Sequence, residues 1–225
     1  MKKICLLVFT SILTLATGCS SVPVDEKDPA SLFKDAQSEI ESDHYQIAID
    51  KLQAIKNKFP YSNFAAESQL RIADVYFIED LFAEAAANYQ IFKDLHPKHA
   101  KVAYAMFRIG KSYLQDAPTL LERDLSPLKK ALEAYQDFLN RFSESPEAVE
   151  ARKDVVNIRK RLAEKELLIG DFYFRREIYL SAQSRYEKIL QLYPDTDEAK
   201  VADSKLTETK KKIDAAEGSK KYGTQ

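Results

Sequence analysis

The chain has 225 residues, with 34 Lys and Arg against 35 Asp and Glu, so its formal net charge at pH 7 is −1. A near-neutral chain in which both signs are interspersed gives no support for nucleic-acid binding. Its two cysteines are Cys5 and Cys19, and we expect the first to leave with a signal peptide. No intramolecular disulfide could then form, so the fold is expected to depend on packing.

The first nineteen residues have the layout of a secretory signal. Lys2 and Lys3 precede a short apolar stretch over residues 4–15, which is too short for a permanent membrane-spanning helix. The stretch is followed by Ala-Thr-Gly and then Cys19. This ending resembles the lipobox of bacterial lipoproteins, in which the cysteine is acylated and becomes the new N-terminus. The alternative is an ordinary secreted protein with a stray cysteine.

We therefore predict a signal peptide over residues 1–18, lipid on Cys19 and a flexible tether over residues 19–27. Ser20, directly after the cysteine, resembles the sorting pattern of outer-membrane lipoproteins. Acyl chains contribute roughly 0.8 kcal/mol per buried CH₂, so two or three of them would hold the chain on a bilayer.

Ordered structure is predicted to begin at Asp28-Pro29, an N-cap followed by Pro at the first helical position. Beyond this point apolar residues recur at spacings of three and four, and the whole chain contains only five glycines. This periodicity predicts an all-α fold.

The helical part repeats a spacing four times: a small residue, a bulky one four positions later and another after three more. A further small residue lies twelve positions upstream in three copies, at Ala36, Ala73 and Gly170. The pattern resembles the tetratricopeptide repeat, a helical hairpin with small residues where its two helices cross. We therefore predict a tetratricopeptide-repeat superhelix of about four to five hairpins. The second-helix sets are Ala48/Leu52/Ile55, Ala85/Tyr89/Phe92, Ala131/Tyr135/Phe138 and Ala182/Tyr186/Ile189.

The third copy is interrupted, because Gly110 and Ala131 are 21 residues apart instead of twelve. We predict an insertion around residues 117–125, after which Ser126-Pro127 caps and restarts a helix. Residues 145–174 are predicted to form one long helix, since no Pro or Gly interrupts 147–169.

The chain is predicted to close with a helix over residues 197–216, ended by Gly218, and a tail over 217–225. We divide the array into N-terminal repeats over 28–100 and C-terminal repeats, with the closing helix, over 101–216.

No catalytic or metal site is predicted. The three histidines lie in turns without a set of accompanying ligands, and no nucleophile elbow, phosphate-binding loop or H-E-x-x-H motif occurs. We expect a protein that is not an enzyme and that has no cofactor beyond the lipid on Cys19.

A repeat array offers a concave surface for an extended peptide, particularly one that ends in an aromatic residue. Inward-facing positions of the first helices, with the aromatic residues of the first inter-repeat turn, predict a groove. For any one aromatic residue the alternative is packing between hairpins. The predicted groove residues are Phe33, Gln37, Ile40, Phe59, Tyr61, Phe64, Leu70, Asp74, Phe77, Tyr104, Phe107 and Lys111. Arginines of the fourth repeat, Arg175, Arg176 and Arg185, are predicted to dock a folded partner.

Several segments together resemble the BamD family of outer-membrane assembly lipoproteins, also called ComL-like. These are residues 32–36 (Leu-Phe-Lys-Asp-Ala), 58–65 (Lys-Phe-Pro-Tyr-Ser-Asn-Phe-Ala), 122–124 (Glu-Arg-Asp) and 193–196 (Tyr-Pro-Asp-Thr). The resemblance covers nearly the whole chain and includes the interruption of the third repeat.

The resemblance implies a place in the β-barrel assembly (BAM) complex on the periplasmic face of the outer membrane. The implied partners are the POTRA domains of BamA, other BAM lipoproteins, and unfolded outer-membrane proteins recognised by their C-terminal signal. The N-terminal repeats are the implied substrate end and the C-terminal repeats the implied BamA end.

Two other interpretations stay open at this point. One is a different periplasmic repeat lipoprotein, which links the envelope to peptidoglycan or to a division machine. The other is a hydrolase or metalloenzyme, for which the sequence offers no ligand set.

Overall fold

A computed structural model describes residues 28–222, and in that range it contains nine α-helices and no strand. The predicted signal peptide, Cys19 and the tether all lie outside the described residues. The helices are α1 Pro29–Glu41, α2 Tyr45–Lys58, α3 Asn63–Ile78, α4 Phe82–Leu95, α5 Val102–Asp116, α6 Ser126–Arg141, α7 Ala148–Arg175, α8 Tyr179–Leu192 and α9 Asp197–Tyr222.

The helices pack in chain order as antiparallel hairpins. α1 packs on α2, α3 on α4, α5 on α6 and α7 on α8, and each hairpin also contacts the next. α9 covers the end of the array by packing on α8 and α7. This arrangement confirms the all-α tetratricopeptide-repeat prediction. Asp28 also caps α1 as predicted, since its carboxylate accepts the N–H groups of Ala30 and Ser31.

The small residues lie where the two helices of each hairpin cross. Ala36 and Ala73 are fully buried. A Cβ added to Gly110 would lie 2.6 Å from the ring of Tyr135, and one added to Gly170 would lie 2.6 Å from the ring of Tyr186. The glycines therefore allow a tyrosine to pack directly on the backbone of the first helix, as the repeat pattern predicted.

Three of the four hairpins turn through the same backbone motif. A residue with positive φ lies two positions after the last residue of the first helix, and the N–H that follows it donates to the carbonyl five residues earlier, as in a Schellman cap. The positive-φ residues are Asp43 (59°), Asp80 (58°) and Glu177 (61°), and the closing bonds run from His44 to Glu39, Leu81 to Tyr76 and Ile178 to Tyr173.

The third hairpin lacks this turn, and residues 117–125 form the predicted insertion between α5 and α6. Two side chains of α7 hold its backbone: Arg161 donates to the carbonyl of Pro118, and Lys165 donates to that of Leu121 at 2.5 Å. Ser126 does not cap α6, contrary to the prediction. It is the first helical residue, and its N–H and hydroxyl both donate to the Asp124 carboxylate.

The long helix is confirmed, because α7 runs for 28 residues. The prediction that Gly218 ends the last helix was wrong, since α9 continues to Tyr222. Gly218 has no positive φ, and a glycine ends a helix only when it adopts that left-handed conformation. Within a helix it merely costs about 1 kcal/mol relative to Ala.

Candidate functional site

An open cleft of about 470 Å³ lies between the first helices of the N-terminal repeats. Five of the predicted groove residues line it: Phe33 and Gln37 from α1, and Phe64, Leu70 and Asp74 from α3. The rings of Phe33 and Phe64 are in contact, with their centroids 5.5 Å apart. We call this site the N-terminal cleft.

Sequence reasoning missed three charged residues of the N-terminal cleft, Glu67, Arg71 and Lys101. Glu67 and Arg71 share the face of α3 that carries Phe64 and Asp74, so helical spacing could have found them. Lys101 reaches the cleft from the start of α5, where its ammonium lies 2.6 Å from the Glu67 carboxylate. No spacing along the chain indicated that contact.

Arg71 is only loosely paired. Its closest carboxylate contact, from Nη1 to Asp74, is 3.6 Å long. Its Nε is shielded from solvent and has no hydrogen-bond partner among residues 28–222. A shielded donor without a partner is costly. The loose contact to Asp74 also leaves the terminal N–H groups able to donate to a further carboxylate or carbonyl oxygen.

Asp74 instead accepts hydrogen bonds from two tyrosines. The hydroxyls of Tyr89 and Tyr104 donate to the same carboxylate oxygen, at 2.6 and 2.8 Å. Burial, together with the Asp74 charge, raises the pKa of Tyr104 to about 12 and that of Tyr89 further above its ordinary value. Both phenols therefore stay protonated and act as donors at neutral pH.

The other predicted groove residues lie elsewhere. Ile40 and Phe107 are only 6% and 7% exposed and belong to the hydrophobic core, so neither is brought to the cleft. Phe59 packs against the N-terminal core. Tyr61 is fully exposed in the turn before α3.

Three further predicted groove residues are engaged with neighbouring side chains. Phe77 lies under the guanidinium of Arg108, Tyr104 is bound to Asp74, and Lys111 pairs with Glu150 at 2.6 Å. Repeat positions alone identified the correct helix face but not the depth of each side chain.

The predicted docking arginines divide into two kinds. Arg175 and Arg176 are exposed at the end of α7, where the Arg176 guanidinium lies 5.7 Å from the ring of Phe172. Arg185 is instead partly buried, with 35% of its side chain exposed, and is paired with Glu166 at 3.0 Å. Glu166 is 8% exposed and also accepts from Lys188 at 2.5 Å. Burial would raise the pKa of Glu166, but the hydrogen bonds from Lys188 and Arg185 lower it overall.

Arg185 and Glu166 lie in a second cavity, of about 340 Å³, between the insertion, α7 and α8. We call it the C-terminal cavity. Its charged lining contains five basic and three acidic residues. The basic residues are Arg123, Lys129, Lys165, Arg185 and Lys188, and the acidic ones are Glu122, Asp124 and Glu166.

The C-terminal cavity lies where a regular array would place the preceding hairpin. Repeats two and four correspond at an offset of 97 residues, from Ala73 to Gly170. The α3 residues that face the first repeat are at most 2% exposed, whereas their counterparts on α7 line the cavity or face solvent. The pairs are Ser68 and Lys165, Gln69 and Glu166, Ile72 and Ile169, and Val75 and Phe172, the last of which is 48% exposed.

The histidines show no arrangement that would bind a metal. His96 packs on Phe92, with ring centroids 5.4 Å apart, and His99 accepts the N–H of Lys101. Over residues 28–222 there is no group of three or more potential ligands suited to a metal ion. In the same range, no helix combines the length and the apolar character needed to cross a membrane.

Comparison with known proteins identifies the family. The family model described as YfiO, an outer membrane lipoprotein, matches residues 25–223. The outer membrane protein assembly factor BamD of Vibrio cholerae is 30% identical over 199 residues, which span 84% of this chain and 83% of the relative.

Two further relatives carry the same name. BamD of Neisseria gonorrhoeae is 28% identical over 213 residues, 87% of this chain and 79% of the relative. BamD of Rickettsia prowazekii is 23% identical over 226 residues, 99% of this chain and 90% of the relative. Family model and relatives agree with the resemblance found in the sequence, and the chain belongs to the YfiO family of outer membrane lipoproteins, which includes the BamD assembly factors.

Proposed function

We propose that this protein is a non-catalytic binding scaffold in the assembly of outer-membrane β-barrel proteins. It binds unfolded outer-membrane proteins in the N-terminal cleft and docks on the POTRA domains of BamA through the C-terminal repeats, alongside other BAM lipoproteins. Family membership supports the general role, because the relatives are outer membrane protein assembly factors by name.

The N-terminal cleft is the observation that carries the proposal. The partly exposed Phe33 and Phe64 supply an apolar surface, and Arg71 and Lys101 supply cations beside it. An extended peptide with an aromatic side chain fits such a site, since the ring can pack on Phe33 and Phe64 while its polar groups reach the cations.

The C-terminal cavity and the adjoining end of α7 form the docking surface. The half-exposed Phe172 lies beside Arg175 and Arg176, which make no ion pair with the described residues. This combination suits a partner surface that has an apolar contact surrounded by carboxylates.

The lipid on Cys19 keeps the N-terminal cleft near the periplasmic face of the outer membrane. The tether over residues 19–27 is short, so the first helix would stay within roughly 30 Å of the bilayer even when the tether is fully extended. We expect Cys19→Ala to leave the helical content unchanged and to move the protein from the membrane fraction to the soluble periplasmic fraction.

The proposal is tested by separating the two binding activities. Phe64→Asp should abolish crosslinking of a labelled C-terminal peptide from an outer-membrane barrel protein and leave binding of the BamA POTRA domains intact. Arg175→Glu with Arg176→Glu should do the opposite. These arginines are better targets than Arg185, because reversal of Arg185 would also place two carboxylates together at Glu166.

Crosslinks of that peptide only to α7 and α8 would contradict the assignment of the N-terminal cleft. If affinity isolation of the membrane-bound protein recovered no BamA, the alternative role would be favoured. That alternative is a different periplasmic repeat lipoprotein, which links the envelope to peptidoglycan or to a division machine.

A further inference from the structure

A basic residue recurs at one position of the first helix in three consecutive repeats. Lys34, Arg71 and Arg108 are each 37 residues apart, and each lies two residues before the small crossing residue of its hairpin. The fourth repeat has Leu168 at this position. The three basic residues therefore mark the face formed by α1, α3 and α5, which includes the N-terminal cleft.

Arg108 is held in one orientation. Its guanidinium carbon lies 3.6 Å from the centroid of the Phe77 ring, and its Nε donates to the hydroxyl of Tyr89 at 3.1 Å. Tyr89 in turn donates to Asp74 of the N-terminal cleft. Arg108 is therefore two hydrogen bonds away from a residue that lines the cleft.

The charge of Arg108 is not neutralised. Among the ion pairs formed within residues 28–222 none includes Arg108, and its only hydrogen bond there uses Nε. Arg108 is partly exposed, and neither of its terminal nitrogens is among the atoms shielded from solvent without a partner. A guanidinium that is stacked on an aromatic ring and anchored through Nε keeps its outer edge free for the paired hydrogen bonds that a carboxylate accepts.

We propose that Arg108 binds the carboxylate of an Asp or Glu side chain in an extended polypeptide whose apolar residue occupies the N-terminal cleft. This inference rests on the proposed function. Phe64 of the cleft and Phe77, on which Arg108 stacks, are thirteen residues apart on α3, which is about 20 Å at 1.5 Å per residue. An extended chain advances about 3.3 Å per residue, so the acidic residue lies about six positions from the apolar one. A terminal carboxylate on the residue that occupies the cleft would lie too far from Arg108, so the ligand is a side chain within the polypeptide.

The test measures binding of fluorescent peptides to the full-length protein in detergent. The first peptide is blocked at both ends and carries one Phe with one Glu about six residues away, in two versions with Glu before or after the Phe. The second has Gln in place of Glu. The third has no acidic side chain but a free C-terminal carboxylate. We expect the better Glu version to bind about ten- to a hundredfold more tightly than its Gln counterpart.

Arg108→Gln should remove this preference and leave affinity for the Gln peptide unchanged. Arg108→Lys, which keeps the charge without the paired donors, should retain only part of the preference. The matched control is Arg141→Gln, which removes another arginine near an aromatic ring and should preserve the full preference. Unchanged thermal midpoints would show that the variants fold.

The possible outcomes distinguish failure of the Arg108 role from failure of the proposed function. If the wild type binds the Glu and Gln peptides equally, or if the preference survives Arg108→Gln, the role of Arg108 is wrong while the proposed function stands. Preference for the free C-terminus over the internal Glu would also overturn it. Binding of no peptide by the wild type would overturn the proposed function and this inference together.

Discussion

Repeats two and four have the same hairpin in different surroundings. Each has a small residue at the crossing, a buried tyrosine packed on it and a Schellman turn, yet Val75 is fully buried and its counterpart Phe172 is half exposed. The difference comes from what precedes each hairpin. Repeat two follows an uninterrupted repeat, whereas repeat four follows the insertion and is built on the second half of a 28-residue helix. The residues of a hairpin determine its own crossing, but its neighbour determines which face is left open for a partner.

The strongest test introduces a carboxylate at the matched position of both repeats. Val75→Asp should lower the free energy of unfolding by about 3 kcal/mol or more, because the carboxylate would be buried without a partner. Phe172→Asp should cost about 1 kcal/mol or less, since water reaches this site. Urea denaturation followed by circular dichroism measures both. Equal losses would mean that the end of α7 is covered in solution.

Overpacking the crossing should have the next largest effect. Ala73→Leu should destabilise the protein by about 1–3 kcal/mol, because the fully buried Ala73 leaves no space for a larger side chain. Ala87 on α4 is exposed, so Ala87→Leu is the matched control and should leave the thermal midpoint nearly unchanged. An unchanged midpoint for Ala73→Leu would contradict the assignment of the crossing.

Loss of one hydroxyl should destabilise both hairpins. Tyr89 donates to Asp74 and Tyr186 donates to Asp171, at 2.6 and 2.7 Å, and the Tyr89 hydroxyl also accepts from Arg108. Tyr186→Phe should cost about 1 kcal/mol in unfolding free energy, which is typical of one hydrogen bond, and Tyr89→Phe about 1–2 kcal/mol, because it removes two. A loss confined to Tyr89→Phe would show that the fourth hairpin does not depend on its tyrosine–carboxylate bond.

The smallest effect on stability is expected when the pH is lowered. Because the pKa of folded Glu166 lies below its ordinary value of 4.5, this group stabilises the protein above pH 4.5, and that contribution disappears as the pH falls through the lower, folded pKa. Glu166→Gln installs the residue that repeat two has at Gln69. Urea midpoints measured from neutral pH to about pH 3.5 should therefore fall less steeply in the variant. Identical slopes would contradict the role of the Glu166 pairs.

Features set within one hairpin were predictable from the sequence. The crossing residues, the interruption of repeat three and the length of α7 all follow from spacing or from the absence of Pro and Gly. Contacts between distant segments were not predictable in this way. Lys101 reaches Glu67 across 34 residues, and Lys111 reaches Glu150 across 39. These contacts depend on how whole hairpins stack, which no short pattern records.

The length of α7 has a mechanical consequence. Twenty-eight residues at 1.5 Å per residue form a rod about 42 Å long. It contacts α5 and α6 through Glu150 and Asp154 near its start, and α8 and α9 through Asp171 near its end. A tilt of about 5° at its docked end would displace the far end by roughly 4 Å, which is about two thirds of the rise of one helical turn. A partner that grips the end of α7 therefore has a lever by which small rotations are transmitted toward the N-terminal half of the array.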